Sequence, residues 1–188
     1  MVLYGTTELV ERAQARQLLA TAAQEYWSLS PLPTLERQEL GKPFFSDFPQ
    51  YQFNLSHSEP FALCALDDQP VGVDIQVVKS CRKGLSERVC SSSELEWLSR
   101  QPEPNISFFL LWSLKEARVK QSGLGLRTPI REITVPLPVC WEHPILLDGL
   151  WFWTYVRSNW TAAVCGLTPP PSKICWRPLC EKGTLQPR

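Results

Sequence analysis

WSLKEARVK, residues 112–120, is the stretch from which the rest of this chain can be read. The apolar run ISFFLL, residues 106–111, leads straight into it. The two form one continuous helix that reaches about Gln121 and is stopped by Gly123 and Gly125. At about 100° per residue, Glu116 falls on a strip bounded by Phe109, Trp112, Val119 and Lys120. Two aromatic rings and a valine mark that strip as buried. A buried carboxylate without compensation is costly, so a positive group is expected to face Glu116. Lys120, one turn on, offers an ordinary i,i+4 pair worth about 0.2–0.5 kcal/mol. A metal ion is the other candidate.

Upstream of the helix, Pro102 and Pro104 break the chain. Ser91 and Glu94 match a Ser-x-x-Glu capping box that opens a short helix to about Ser99. For Glu94 the cap reading and a catalytic reading carry equal weight. Earlier still, residues 61–66 and 71–78 are apolar runs joined by Asp67, Asp68, Gln69 and Pro70, the pattern of a hairpin with a four-residue loop. In the second run Val71, Val73, Ile75 and Val77 share one face, and Gly72, Asp74 and Gln76 share the other. Asp74 therefore points away from the more apolar face, where an aspartate is ordinarily just solvated. Its place in so β-branched a strand argues for a purpose.

Residues 53–55 read as a short strand running into Ser56, His57 and Ser58, and GKP, residues 41–43, as a loop. Thr6 and Thr7 followed by Glu8 and Glu11 read as the capped start of a helix that extends to about Trp27. Beyond the long helix, residues 132–137, 150–156 and 160–167 read as strands, the last two joined at Ser158 and Asn159. The order of helices and hairpins predicts an α+β protein of two pseudo-related halves, each a helix on a small antiparallel sheet. Those halves are residues 1–78 and 79–172, with a loosely attached tail at 173–188.

The 188 residues, 44% hydrophobic and 20% charged, suit one compact unit. No run approaches the roughly 18 apolar residues of a membrane span, and the N-terminus lacks a signal-peptide pattern. The seven cysteines form no CxxC pair, and Cys64 sits in an apolar run as a reduced core thiol. Only two histidines exist, neither near Cys175 or Cys180, which disfavours structural zinc. A cytoplasmic protein is expected. The formal net charge is zero, so nothing global favours nucleic acid. Basic residues cluster at Lys79, Arg82, Lys83 and Arg88, and at Lys115, Arg118, Lys120, Arg127 and Arg131. They read as solvated faces or as docking ground for a polyanion or acidic partner. Asp74 and Glu116, with Lys120, His57 and the basic clusters, make a set suited to a magnesium-bound pyrophosphate.

Five motifs in order carry a resemblance: GKP (41–43), FNLSHS (53–58), GVDIQ (72–76), the Ser-x-x-Glu box (91–94), and WSLKEARVK (112–120) followed by QSGLGL (121–126). Over about residues 12–135 the chain resembles the 4′-phosphopantetheinyl transferase superfamily, in its longer, monomeric Sfp/EntD-type branch with AcpT-like, holo-[acyl-carrier-protein] synthase members. The resemblance implies transfer of phosphopantetheine from coenzyme A to a serine of an apo acyl or peptidyl carrier protein, with release of 3′,5′-ADP. It implies that Asp74 and Glu116 hold Mg²⁺ on the pyrophosphate and that Lys120 neutralises or protonates the leaving phosphate. Lys42, Ser56, His57 and Arg16 would contact the 3′-phosphate or the pyrophosphate. Glu116, directly or through a metal-bound water, would be the base for the serine. Gln76 departs from the family's common glutamate and would offer a carbonyl oxygen or hold a water at the metal. The carrier would dock around Arg82 to Arg88 or near Arg118. The alternatives are a non-catalytic carrier- or coenzyme A-binding relative, and a Mg²⁺-dependent phosphohydrolase.

Overall fold

The structure, a computed structural model, describes residues 1–123, 125, 129–139 and 141–179. In chain order the elements are β1 (Val2–Thr6), a 3₁₀ turn (Arg12–Gln14), α1 (Ala15–Trp27), β2 (Leu35–Arg37), β3 (Pro43–Phe45), β4 (Gln52–Ser58), β5 (Phe61–Asp67) and β6 (Val71–Val77). There follow α2 (Leu85–Val89), α3 (Ser92–Leu98), α4 (Pro104–Ser122), a 3₁₀ turn (Ile130–Glu132), β7 (Ile145–Leu147), β8 (Leu150–Val156), β9 (Trp160–Gly166) and β10 (Cys175–Trp176). The fold is α+β, as expected. One sheet has the order β10-β1-β5-β4, the other β6-β9-β8-β7, and β2 and β3 form a small separate ribbon.

The layers follow from alternation along the strands. On β5, Ala62, Cys64 and Leu66 meet Leu18, Leu19 and Ala22 of α1. Its other face, Phe61, Leu63 and Ala65, meets Val71, Val73 and Ile75 of β6 and Ala162 and Val164 of β9. On the far side Ala163 and Cys165 of β9 pack under Leu110, Leu114 and Ala117 of α4. The two sheets are thus stacked between α1 and α4, and their central strands are buried on both faces.

That stacking overturns the expected hairpin. β5 pairs with β1 and β4, whereas β6 pairs antiparallel with β9, from Val71 opposite Gly166 to Val77 opposite Trp160. The connection between them steps from one sheet to the other. The Asp67 carboxylate fixes it by accepting from the Asp68 N–H and the Thr168 hydroxyl. The first helix also begins later than expected. Residues up to Thr6 form β1, paired along its length with β5, and the helix is entered through a capping box of Glu11 and Gln14. Residues 133–136 are not a strand. The carbonyls of Ile130, Arg131 and Ile133 turn instead to the ammonium of Lys115. The segment 173–179, expected to be loosely attached, is docked. β10 runs parallel to β1, Trp176 packs edge-on against Trp160, and Arg177 forms a forked pair with Glu25. No described helix is long and apolar enough to cross a membrane.

Candidate functional site

Gly72 sets the site's geometry. A Cβ at this position would lie 2.0 Å from the carbonyl oxygen of Ala117 and 2.4 Å from the nitrogen of Gln121. Its bare Cα lets β6 press against the backbone of α4. Two residues on, Asp74 points to the same side and is buried, contrary to the solvated placement that its polar strand face suggested. Its Oδ1 accepts from the Ser56 hydroxyl at 2.8 Å and pairs with Lys120 Nζ at 2.6 Å, and its Oδ2 accepts from Gln76 Nε2 at 2.8 Å. Lys120 also donates to Ser56 Oγ at 3.0 Å. The lysine expected to face Glu116 is therefore committed to Asp74.

Glu116, one turn before Lys120, is half-buried and has no ion-pair partner among the described residues. Burial, then the like charge of Asp74, raise its proton affinity above that of an ordinary glutamate, against the opposing pull of Lys120. The two acids, distant in sequence, thus lie close enough to feel each other. They border a cleft of about 980 Å³ whose walls also include Arg16, Lys42, Ser56, His57, Gln76 and Lys120. The eight residues that the resemblance assigns to the site all line this one space, and Glu94 does not.

The cleft lining also carries the basic residues Arg12 and Arg16 and the imidazole of His57. His57 lies at the rim, where partial desolvation and the charges of Arg12 and Lys120 lower its proton affinity. Arg12, in the 3₁₀ turn ahead of α1, borders the cleft and was missed in the sequence. A helix starting at Thr6 gives no pattern that sets Arg12 apart from its charged neighbours Glu8 and Glu11. Lys42 reaches the cleft, but its ammonium donates to the carbonyls of Val71 at 3.2 Å and Gln121 at 3.0 Å. Burial lowers its pKa from 10.5 to about 8.

Glu94 stands apart from the cleft walls. It closes the capping box with Ser91 and pairs at 2.9 Å with the fully buried Lys115, an arrangement that favours the cap reading. Lys115 does not belong to a solvated basic face, nor does Arg118, which pairs with Asp148 at 3.2 Å; Arg127 lies outside the described residues. A shallower hollow of about 560 Å³ beside Ile106, Trp141 and Val156 carries Arg157 and Glu142, which neutralise each other at 2.9 Å.

The donor chemistry of the acidic wall suits a hard divalent cation. It presents two carboxylates, one of them without an ion-pair partner among the described residues, and an amide oxygen on Gln76, whose nitrogen is turned toward Asp74. Asp74 Oδ2 accepts one described hydrogen bond and keeps a lone pair. No set of three His, Cys, Asp or Glu side chains gathers among the described residues, so such an ion would complete its shell with water and substrate oxygens.

Comparison with known proteins agrees with this arrangement. The family description "4'-phosphopantetheinyl transferase superfamily" matches residues 70–165, which span β6 to β9 and so both acids. A 4'-phosphopantetheinyl transferase of Bacillus subtilis is 36% identical over 160 residues, covering 81% of this chain and 71% of that protein. The ffp transferase of Bacillus subtilis is 41% identical over 139 residues, 70% of this chain and 62% of its own length. The AcpT transferase of Salmonella typhimurium is 41% identical over 101 residues, 51% of this chain and 53% of its own length. With its fold, its ordered motifs and these relatives in agreement, the chain belongs to the 4′-phosphopantetheinyl transferase superfamily.

Proposed function

We propose that this protein transfers the 4′-phosphopantetheine group of coenzyme A to a serine hydroxyl of an apo acyl or peptidyl carrier protein, releasing 3′,5′-ADP. One observation carries the reading: Asp74 and Glu116, from different elements, share a cleft with Lys120, Arg12 and Arg16. A pyrophosphate needs such a division of charge, since phosphoryl transfer is catalysed mainly by positioning and neutralisation.

In this reading Arg12, Arg16 and His57 bind the phosphate groups of coenzyme A. Lys120, held by Asp74 and Ser56, meets the charge that builds on the leaving phosphate. Glu116, directly or through a metal-bound water, takes the proton from the serine hydroxyl. Asp74, Glu116 and the Gln76 amide oxygen would hold Mg²⁺. When bound, the ion supplies neutralisation of the pyrophosphate charge. Trp112, on the same wall, limits water at the reacting groups. Lys42 keeps a structural place, tying the GKP loop to β6 and α4. The carrier docks on the exposed basic segment of Lys79, Arg82, Lys83 and Arg88. The reading carries with it a monomeric, cytoplasmic enzyme.

Incubation of an apo acyl carrier protein with this protein, coenzyme A and Mg²⁺ should raise the carrier's mass by about 340 Da, the increment that group transfer to serine demands. A carrier of unchanged mass in the presence of phosphate release would favour a hydrolase instead. An unchanged mass with coenzyme A bound would favour a non-catalytic relative.

A further inference from the structure

The strand that carries Asp74 has an unusual outer edge. β6 hydrogen-bonds through its backbone to β9 on one side only. On the other side lies β4, the edge strand of the second sheet, and the two strands do not pair. Instead, alternate side chains of β4 satisfy the free N–H groups of β6. Asn54 Oδ1 accepts from Val73 N at 2.9 Å, Ser56 Oγ from Ile75 N at 3.3 Å, and Ser58 Oγ from Val77 N at 3.0 Å. The carbonyls of the same edge go to lysines: Val71 O accepts from Lys42 and Val73 O from Lys120. An open sheet edge is thereby converted into a side-chain ladder with a two-residue period.

The ladder joins the two walls of the cleft. His57 stands on β4, and Arg12 and Arg16 belong to the elements packed on that sheet. Asp74 and Gln76 stand on β6, interleaved with the three N–H groups that the ladder holds. We propose that Asn54 and Ser58 are positioning residues for the transfer reaction: they fix the height of β6 against β4, and so place the acids of one wall opposite the phosphates held by the other. Ser58 is not among the residues that line the cleft; Asn54 is, but its Oδ1 is committed to Val73 N. This inference rests on the functional reading above. It explains the outer members of FNLSHS, Asn54 and Ser58, which the ligand contacts expected of that motif leave without a role.

The test is a comparison of Ser58→Ala, Ser58→Thr and wild type in the carrier mass-shift assay, run at 20 °C with thermal unfolding followed in parallel. Ser58 is only half-buried, so its loss lets water reach Val77 N and leaves the fold intact. A sub-ångström to ångström misplacement is costly to chemistry but not to phosphate binding. Ser58→Ala should therefore lower kcat by about ten-fold while the KM for coenzyme A stays within about two-fold. Ser58→Thr keeps the acceptor oxygen and should restore kcat. Asn54→Ala should lower kcat as well, by freeing Val73 N at the other end of the ladder. A kcat for Ser58→Ala equal to that of wild type overturns the positioning role, even if the unfolding temperature falls. Equal losses in Ser58→Ala and Ser58→Thr also overturn it. A wild-type protein that adds no mass to the carrier overturns the functional reading itself, and the positioning role with it.

Discussion

At the scale of single residues, the chemistry depends on which charges are spent and which are left over. Lys120 is spent on Asp74, Lys115 on Glu94, and Lys42 on two carbonyls, while Glu116 keeps its charge for the cleft. Gln76 is part of this economy because its amide nitrogen donates to Asp74. In Gln76→Glu two carboxylates would meet at hydrogen-bond distance, and their repulsion would call for a cation. The variant should unfold at lower temperature in EDTA, recover with Mg²⁺, and reach half-maximal transfer at a lower Mg²⁺ concentration than wild type. An unchanged metal requirement would place Gln76 away from the ion. The acids themselves were legible in the sequence because a carboxylate inside an apolar pattern is anomalous wherever it occurs. The fate of Lys115 was not. One basic residue in a run of five looks solvated, and only the distant arrival of Glu94 and residues 130–133 makes its burial affordable.

At the scale of elements, the site is the contact of β6 with α4, and Gly72 is its contact point. Gly72→Ala would drive a methyl group into the backbone of Ala117 and Gln121, which cannot swing aside as a flexible side chain would. We expect a loss at the upper end of about 1–3 kcal/mol, read from the denaturant midpoint, together with a loss of transfer as Asp74 is pushed away from Lys120. A variant of wild-type stability would mean that β6 and α4 are farther apart than described. Local pattern revealed α4, the α3 capping box and the β8–β9 pair, because each is specified by neighbours in sequence. It failed where partners are chosen at long range. Residues 61–67 and 71–77 carry the alternation of strands and a turn between them, but strands buried on both faces give no sign of which edge they will meet. The start of the first helix was misplaced because Thr6 and Thr7 imitate a cap, whereas pairing with β5 claims Thr6 first.

At the scale of the whole molecule, two further predictions concern how the parts work together. Lys42 joins the GKP loop to β6 and to α4, and burial holds its folded-state pKa at about 8, against 10.5 when unfolded. Because the folded value is depressed, the unfolded chain binds more protons between these values. The penalty of the buried ammonium is therefore present in full below about pH 8 and is relieved as pH rises toward 10.5. Relative to Lys42→Met, wild type should gain stability across that window, and a pH-independent difference in unfolding free energy would refute the buried charge. The other prediction concerns the partner. Lys79, Arg82, Lys83 and Arg88 are exposed and form no ion pair among the described residues. Reversing charge at Lys83 and Arg88 should raise KM for the carrier, more steeply at low salt, and leave KM for coenzyme A unchanged. Equal effects on both substrates would move the docking surface elsewhere.

The pairing of β6 with β9 also bears on synthesis. As the chain leaves the ribosome, the strand holding Asp74 emerges well before β9, the strand that pairs with its inner edge. Until Trp160 and its successors arrive, that strand is a bare, β-branched ribbon, the kind of template on which nascent chains adhere to one another. A fragment halted after Val78 should accordingly accumulate in inclusion bodies rather than as a folded half, and supplying the remaining residues as a separate polypeptide early in expression should rescue it.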